Sequence, residues 1–238
     1  YNNNIAKIKK YSKKKIFIIE DASHVYLNSK FSLFSKNLIF LSLRKHGYFG
    51  PGGWSSLNYN LGKKSKTEFG YLRRNRQLRK EKNLLLKKND YIKNELYFLN
   101  KFRMLNKFFN NKISYLKYDE YFDFLTKVNF DLVVTKRINN WNLLNQILDN
   151  KFRKLNKSVS KNNVPLGFII FTKKRNLLEK YLKKKRIFTS LHWKTNKIIS
   201  NNRKMIINEK MKNSLTIPID QRYNFKDIEY IANTLKNF

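Results

Sequence analysis

The chain has 238 residues, 41% of them hydrophobic and 15% aromatic, with 52 Lys and Arg against 16 Asp and Glu for a formal net charge of +36. Its apolar content excludes general disorder. Its apolar runs are too short for a membrane-spanning helix, and the absence of cysteine excludes disulfides and thiolate metal sites.

The sequence opens at Tyr1, with an Asn- and Lys-rich stretch and no apolar signal segment, and its first Met is Met104. The expectation is a piece of a longer protein. Ile16–Glu20 is a short apolar run that reads as a buried strand ending in a loop at Asp21. Asn37–Leu43 is a second such strand, joined to the first by a polar link too short for much of a crossover helix. A turn region follows, from Arg44 through Lys45 and His46 to Gly53. Residues 67–110 hold no proline and predict two helices, broken around Lys88–Asp90, with Leu85, Ile92, Leu96 and Leu99 on one face. Tyr121–Leu148 predicts another helix, with Trp141, Leu144 and Leu148 at spacings of three and four.

The last eighty residues have a sharper rhythm. Val164–Phe171 predicts a strand, and Thr172 can cap a helix carrying Leu177, Leu178, Tyr181 and Leu182 on one side. Arg186–Trp193 alternates as a strand does, and Ser214–Ile219 predicts another. Asn224 caps a final helix with Phe225, Ile228, Ile231 and Leu235 inward. Strand, helix, strand, strand, helix is a small α+β layer.

The rare residues are not scattered. Four of the seven glycines lie between Gly47 and Gly53, and two of the three histidines, His24 and His46, flank or adjoin that window. Glycine clusters where backbone takes positive φ or approaches something closely. Here a tight loop and a ligand cradle read equally well. Asp21 ends an apolar strand, on the edge where open α/β sheets bind ligands; a turn or helix cap is the commoner use of an Asp there. His24 reads as a surface polar residue or as a second group facing the same crevice.

In this order and spacing, IFIIEDASH (Ile16–His24) and FLSLRKHGYFGPGG (Phe40–Gly53) resemble the DegT/DnrJ/EryC1/StrS family of pyridoxal 5'-phosphate (PLP)-dependent sugar aminotransferases. In that family an apolar strand ends in Glu-Asp-Ala-Ala-His, a second strand leads to the Schiff-base lysine, and Gly-Gly follows seven and eight residues later. Gly52 and Gly53 hold those offsets from Lys45. The closing segments RIFTSLHWK and SLTIPIDQRYNFKDIEYIANTL also look like the family's C-terminal pattern.

The resemblance implies an α/β fold: the C-terminal part of a type I PLP transferase large domain (1–110), then a small α+β domain (111–238). It implies PLP as cofactor, Lys45 as the catalytic and Schiff-base lysine, and Asp21 as partner of the pyridine nitrogen. It sets His24 against the ring's phenolic oxygen and makes Ser42 a candidate phosphate ligand. The family's phosphate-binding Ser stands five residues before the lysine, where this chain has Phe40. No metal is implied. The family's segment before the Asp, with its phosphate-cradling helix and stacking ring, has no counterpart here. By the same resemblance the partners are a keto sugar, nucleotide-linked and destined for surface polysaccharide, an amino donor and a second copy of the chain, in the cytoplasm, with no membrane and no specific nucleic acid.

The charge carries a competing expectation, a basic nucleic-acid binder. Its basic residues run from Lys7 to Lys236 and accompany an excess of Asn, Ile, Phe and Tyr, the residues of A/T-rich codons. That favours drift over a selected surface. A PLP fold with altered chemistry is the third alternative.

Overall fold

The structure, a computed structural model, describes residues 19–21, 23–24, 38–42, 53–55, 68–87, 91–110, 129–161, 163–192 and 209–238. The chain divides into two compact units, one of Tyr1–Ser23 with Leu33–Val128, the other of His24–Ser32 with Asn129–Phe238.

In the first unit the two apolar runs form strands β1 (Ile19–Asp21) and β2 (Leu38–Ser42), paired in parallel, and β3 (Gly53–Ser55) adds antiparallel to β2. The remainder of the two predicted strands lies outside the described residues. Helices α1 (Glu68–Lys87) and α2 (Tyr91–Asn110) follow, and the expected break around 88–90 lies outside the described residues. Their contact is built by Leu78, Phe98 and Leu105, with Leu85 and Phe102 packed against them. The expected face is corrected: Leu96 is 74% exposed and Leu99 is also exposed. Within α2 the row packed toward α1 is Phe98, Phe102 and Leu105, which leaves Leu96 and Leu99 off that row.

The second unit holds α3 (Phe130–Leu148), β4 (Arg153–Lys154), β5 (Phe168–Phe171), α4 (Arg175–Lys184), β6 (Ser214–Ile217) and α5 (Phe225–Lys236). The sheet order is β4-β5-β6, all antiparallel, with Phe168 opposite Ile217 and Ile170 opposite Leu215. One core joins sheet and helices: Trp141, Leu144 and Leu148 from α3, Leu178 and Leu182 from α4, and Ile228, Ile231 and Leu235 from α5, over Phe168, Ile170, Leu215 and Ile217. Trp141 and Phe168 meet with ring centroids 5.3 Å apart. Each aliphatic side chain removed from water in this way contributes about 1.5–3 kcal/mol.

Polar caps set the helix limits. The Asn129 side chain accepts from the Leu132 N–H at 2.9 Å. Asn224 and Asp227 form a reciprocal capping box, Asn224 accepting from Asp227 N–H and Asp227 accepting from Asn224 N–H. Thr172 does not cap α4: its hydroxyl accepts from Lys174 N–H, and Lys174 itself holds the cap position. Leu177 is 61% exposed and Phe225 59%, so neither faces inward as the spacing suggested.

The strand expected at Arg186–Trp193 reduces, among its described residues, to a single bridge. Ser190 exchanges both backbone hydrogen bonds with Thr216, each 3.0 Å. The preceding residues are committed to ending α4. Ile187 N–H bonds Leu182 carbonyl, Arg186 N–H bonds Lys183 carbonyl, and Arg186 takes φ 61°. That is a Schellman end with arginine where glycine is usual.

Candidate functional site

The first unit brings Asp21, Ser42 and Gly53 to one sheet edge. Because β1 and β2 run in parallel with Asp21 opposite Phe40, Asp21 stands at the carboxyl end of β1. β2 continues two residues further to Ser42, which pairs with Gly53 at the start of β3. The link from 43 to 52, which includes Lys45 and three of the clustered glycines, leaves and rejoins the sheet at that edge. Carboxyl ends of parallel strands are where open α/β sheets take ligands.

Asp21 is exposed, and its Oδ1 accepts from the Ser23 N–H at 2.9 Å. This is an Asx turn, and it fixes the carboxylate at the strand end. Ser42 is half-buried. Lys45 lies outside the described residues, as do Arg44, His46 and the Gly47–Gly52 stretch, so the convergence of Asp21 and Lys45 is not described.

His24 belongs to the second unit and is half-buried. Its ring meets that of His192 edge to face, centroids 4.9 Å apart. Nδ1 of His192 stands 3.1 Å from the Thr216 hydroxyl on β6. The Ser190–Thr216 bridge fixes the backbone beside both residues. Sequence reasoning singled out His24 without this partner. The available signal was rarity, since His192 is the third of only three histidines.

A second polar constellation lies inside the second unit. Arg137, 2% exposed, donates from Nε to Gln221 Oε1 at 2.9 Å and from Nη1 to the carbonyls of Pro165 and Leu166 at 3.2 and 3.4 Å. Asn140 Nδ2 is within 3.2 Å of the carbonyls of Ile219, Asp220 and Tyr223. Together they hold the turn between β6 and α5. Burial pushes the Asp220 carboxyl up, but hydrogen bonds and charge from Arg222, with the charge of Arg137, more than offset it and hold it below the usual carboxylate range. Tyr223 is pushed up, first by burial and then by the Asp220 charge. The signal for Arg137 was its register: it stands three residues after Val134 and four before Trp141, on the buried face of α3.

Among the described residues there is no group of three or more His, Asp or Glu able to hold a metal, and no helix long and apolar enough to cross a membrane.

No family model and no curated protein matches the chain in sequence. Solved structures do match. A DegT/DnrJ/EryC1/StrS aminotransferase from Brucella abortus aligns over 99% of this chain and 60% of its own, at 13% identity and a TM-score of 0.54. A protein from Streptococcus pneumoniae named as a sugar aminotransferase, solved in PLP and PMP forms, aligns over 45% of this chain and 31% of its own at 15% identity and a TM-score of 0.37. A sugar aminotransferase from Micromonospora echinospora aligns over 46% and 31% at 12% identity, also with a TM-score of 0.37. The chain thus spans less than two thirds of each. At this identity the likeness concerns the fold: mixed α/β, similar along nearly its whole length to the Brucella aminotransferase.

Proposed function

We propose that the chain is part of a PLP-dependent aminotransferase that moves an amino group onto a keto sugar. The observation that carries this reading is the parallel pairing of β1 and β2, with β3 antiparallel beside β2. It puts Asp21, Ser42 and both ends of the Lys45-bearing link at one carboxyl edge. The fold likeness to the Brucella protein supports it independently of the motif.

The donor set fits the cofactor. An exposed carboxylate already oriented by a backbone N–H suits a protonated ring nitrogen, and a hydroxyl at the neighbouring strand end suits a phosphate. Lys45 follows Ser42 by three residues, so its Cα lies within about 11 Å of that strand end whatever path the chain takes. When bound, PLP supplies an electron sink for the substrate carbon. The chain's own part is narrower. Asp21 would keep the ring nitrogen protonated by an ion-paired hydrogen bond. Lys45 would hold the cofactor covalently and carry a proton to and from the substrate carbon. Arg44, beside it in sequence, would ease loss of the lysine proton by charge repulsion. Ser42 would contact the phosphate.

The keto sugar as substrate, its nucleotide carrier and a role in surface polysaccharide rest on fold analogy. The two-copy assembly of the full-length protein rests on the same analogy.

A spectrophotometric titration of the full-length protein with PLP tests the reading. Visible absorption of lysine-bound cofactor is expected in the unaltered protein and in Asp21→Asn. It should be lost in Lys45→Ala and retained in the control Arg44→Lys. Asp21→Asn should lower turnover by about a hundredfold or more, the loss of one electrostatic partner of the reacting system. Retention of the absorption and of activity in Lys45→Ala would end the proposal.

A further inference from the structure

We propose that the second unit carries a binding surface for single-stranded nucleic acid, formed by the C-terminal half of α4, the residues just beyond it and Tyr230 of α5. It stands on observations separate from the cofactor edge. The chain's charge is spread through the sequence, with other basic stretches at 7–15 and 73–82, and this stretch is set apart by the exposed rings beside it. Eight basic residues lie between Lys173 and Arg186 against one acid, Glu179, a net +7 over 14 residues, or 0.5 per residue, while +36 over 238 is 0.15.

Burial of Leu178 and Leu182 fixes the rotation of α4, so Lys180, Lys183 and Lys184 stand on the solvent side at spacings of three and four. Lys180 and Lys184, like charges four apart, oppose helix formation, whereas Lys183 stands at the favourable spacing of four after Glu179. At the helix end Arg186 occupies the left-handed position that glycine takes without strain. The chain therefore carries a backbone cost there together with a cation.

Two aromatic rings complete the surface. Tyr230, 51% exposed, donates its hydroxyl to the Lys185 carbonyl at 3.1 Å, which seats its ring beside the basic end of α4. Phe188, also exposed, follows Arg186 by two residues. Cations that meet a phosphate backbone beside rings on which unpaired bases stack are the elements of single-strand recognition without sequence preference. Leu178 and Leu182 are spent on the core, which leaves Leu177 as the one largely exposed leucine of α4, too little apolar area for a helix that lies in a bilayer. That favours nucleic acid over an anionic lipid surface.

The test is fluorescence anisotropy of a labelled oligothymidylate titrated with the full chain across a range of salt. Lys180→Gln/Lys184→Gln/Lys185→Gln preserves helix propensity. It is expected to weaken binding by about tenfold or more and to lower the slope of log affinity against log salt by about 2, three phosphates at about 0.7 each. Lys136→Gln/Lys157→Gln/Lys161→Gln removes the same charge elsewhere in the unit and is expected to change the slope by less than about 0.5. Tyr230→Ala should weaken binding by about tenfold without altering the slope, while Tyr230→Phe keeps the ring and the affinity. Equal effects of the two triple variants, no loss in Tyr230→Ala, or tighter binding to phosphatidylserine-containing vesicles than to the oligonucleotide would each overturn the assignment.

Discussion

Replacing Gly167 with alanine tests the packing that holds the His24–His192–Thr216 chain together. A Cβ at 167 would meet Thr216 Cγ2 well inside 3.0 Å and the Ile217 carbonyl oxygen at 3.2 Å. Thr216 cannot yield cheaply. Its backbone is bonded to Ser190, and its hydroxyl stands 3.1 Å from His192 Nδ1. Rotating the threonine gives up that hydrogen bond, about 1 kcal/mol. Displacing the start of β5 instead overpacks the sheet, at about 1–3 kcal/mol. The expected loss for Gly167→Ala is therefore about 2 kcal/mol.

Thr216→Ser removes only the clashing methyl and keeps the hydroxyl. In that background Gly167→Ala should cost about 0.5 kcal/mol, a coupling of about 1.5 kcal/mol in the double-mutant cycle. Urea denaturation followed by Trp141 fluorescence, in a background with Trp54 and Trp193 changed to Phe, reads the second unit at unchanged slope. Additive costs for the two substitutions would refute the contact between Gly167 and Thr216.

Arg137→Met should destabilise the second unit by about 3–4 kcal/mol in the same assay, since it strands the buried carbonyls of Pro165 and Leu166 and removes the bond to Gln221. A loss below about 1 kcal/mol would show that this arginine is not the tie between α3 and the β6–α5 turn. Asp220 has a pKa below its ordinary 3.8, so its contribution to stability is present above that value and is lost as pH falls through the lower, folded-state pKa. Arg222→Gln removes the nearest offset to burial, and carboxyl-carbon NMR should show the Asp220 midpoint rise, with acid unfolding beginning at higher pH; an unmoved midpoint contradicts the ion pair.

The strands β1 and β2 were legible because each is an unbroken apolar run bounded by polar residues, though the burial expected of β1 does not hold at Ile19, which is 59% exposed. Asn224 and Asp227 were equally plain, since the capping box needs only residues three apart. The face on α2 was misread because Phe98, Phe102 and Leu105 took the side packed toward α1, leaving Leu96 and Leu99 exposed. Leu177 misled through adjacency: one residue is about 100° around a helix, and Leu178 took the core position. The alternation at Arg186–Trp193 was real but went largely unused, because Ile187 is tied back to Leu182 and strand pairing begins only at Ser190. Asp21 and Ser42 lie at the carboxyl edge of a parallel pair, a placement legible from the apolar strands before them, while their roles toward a cofactor rest on the resemblance. The His24–His192 contact could not be read from spacing, since 168 residues separate two rings that meet only through tertiary packing.

The most direct measurement is covalent trapping: incubate the full-length protein with PLP, reduce with borohydride, and map the modified peptide by mass spectrometry. If the chain is the lysine-bearing part of a PLP enzyme, one stoichiometric label is expected on Lys45, reduced by prior incubation with an amino donor. Label spread over many of its exposed lysines, or concentrated on any lysine other than Lys45, would contradict it.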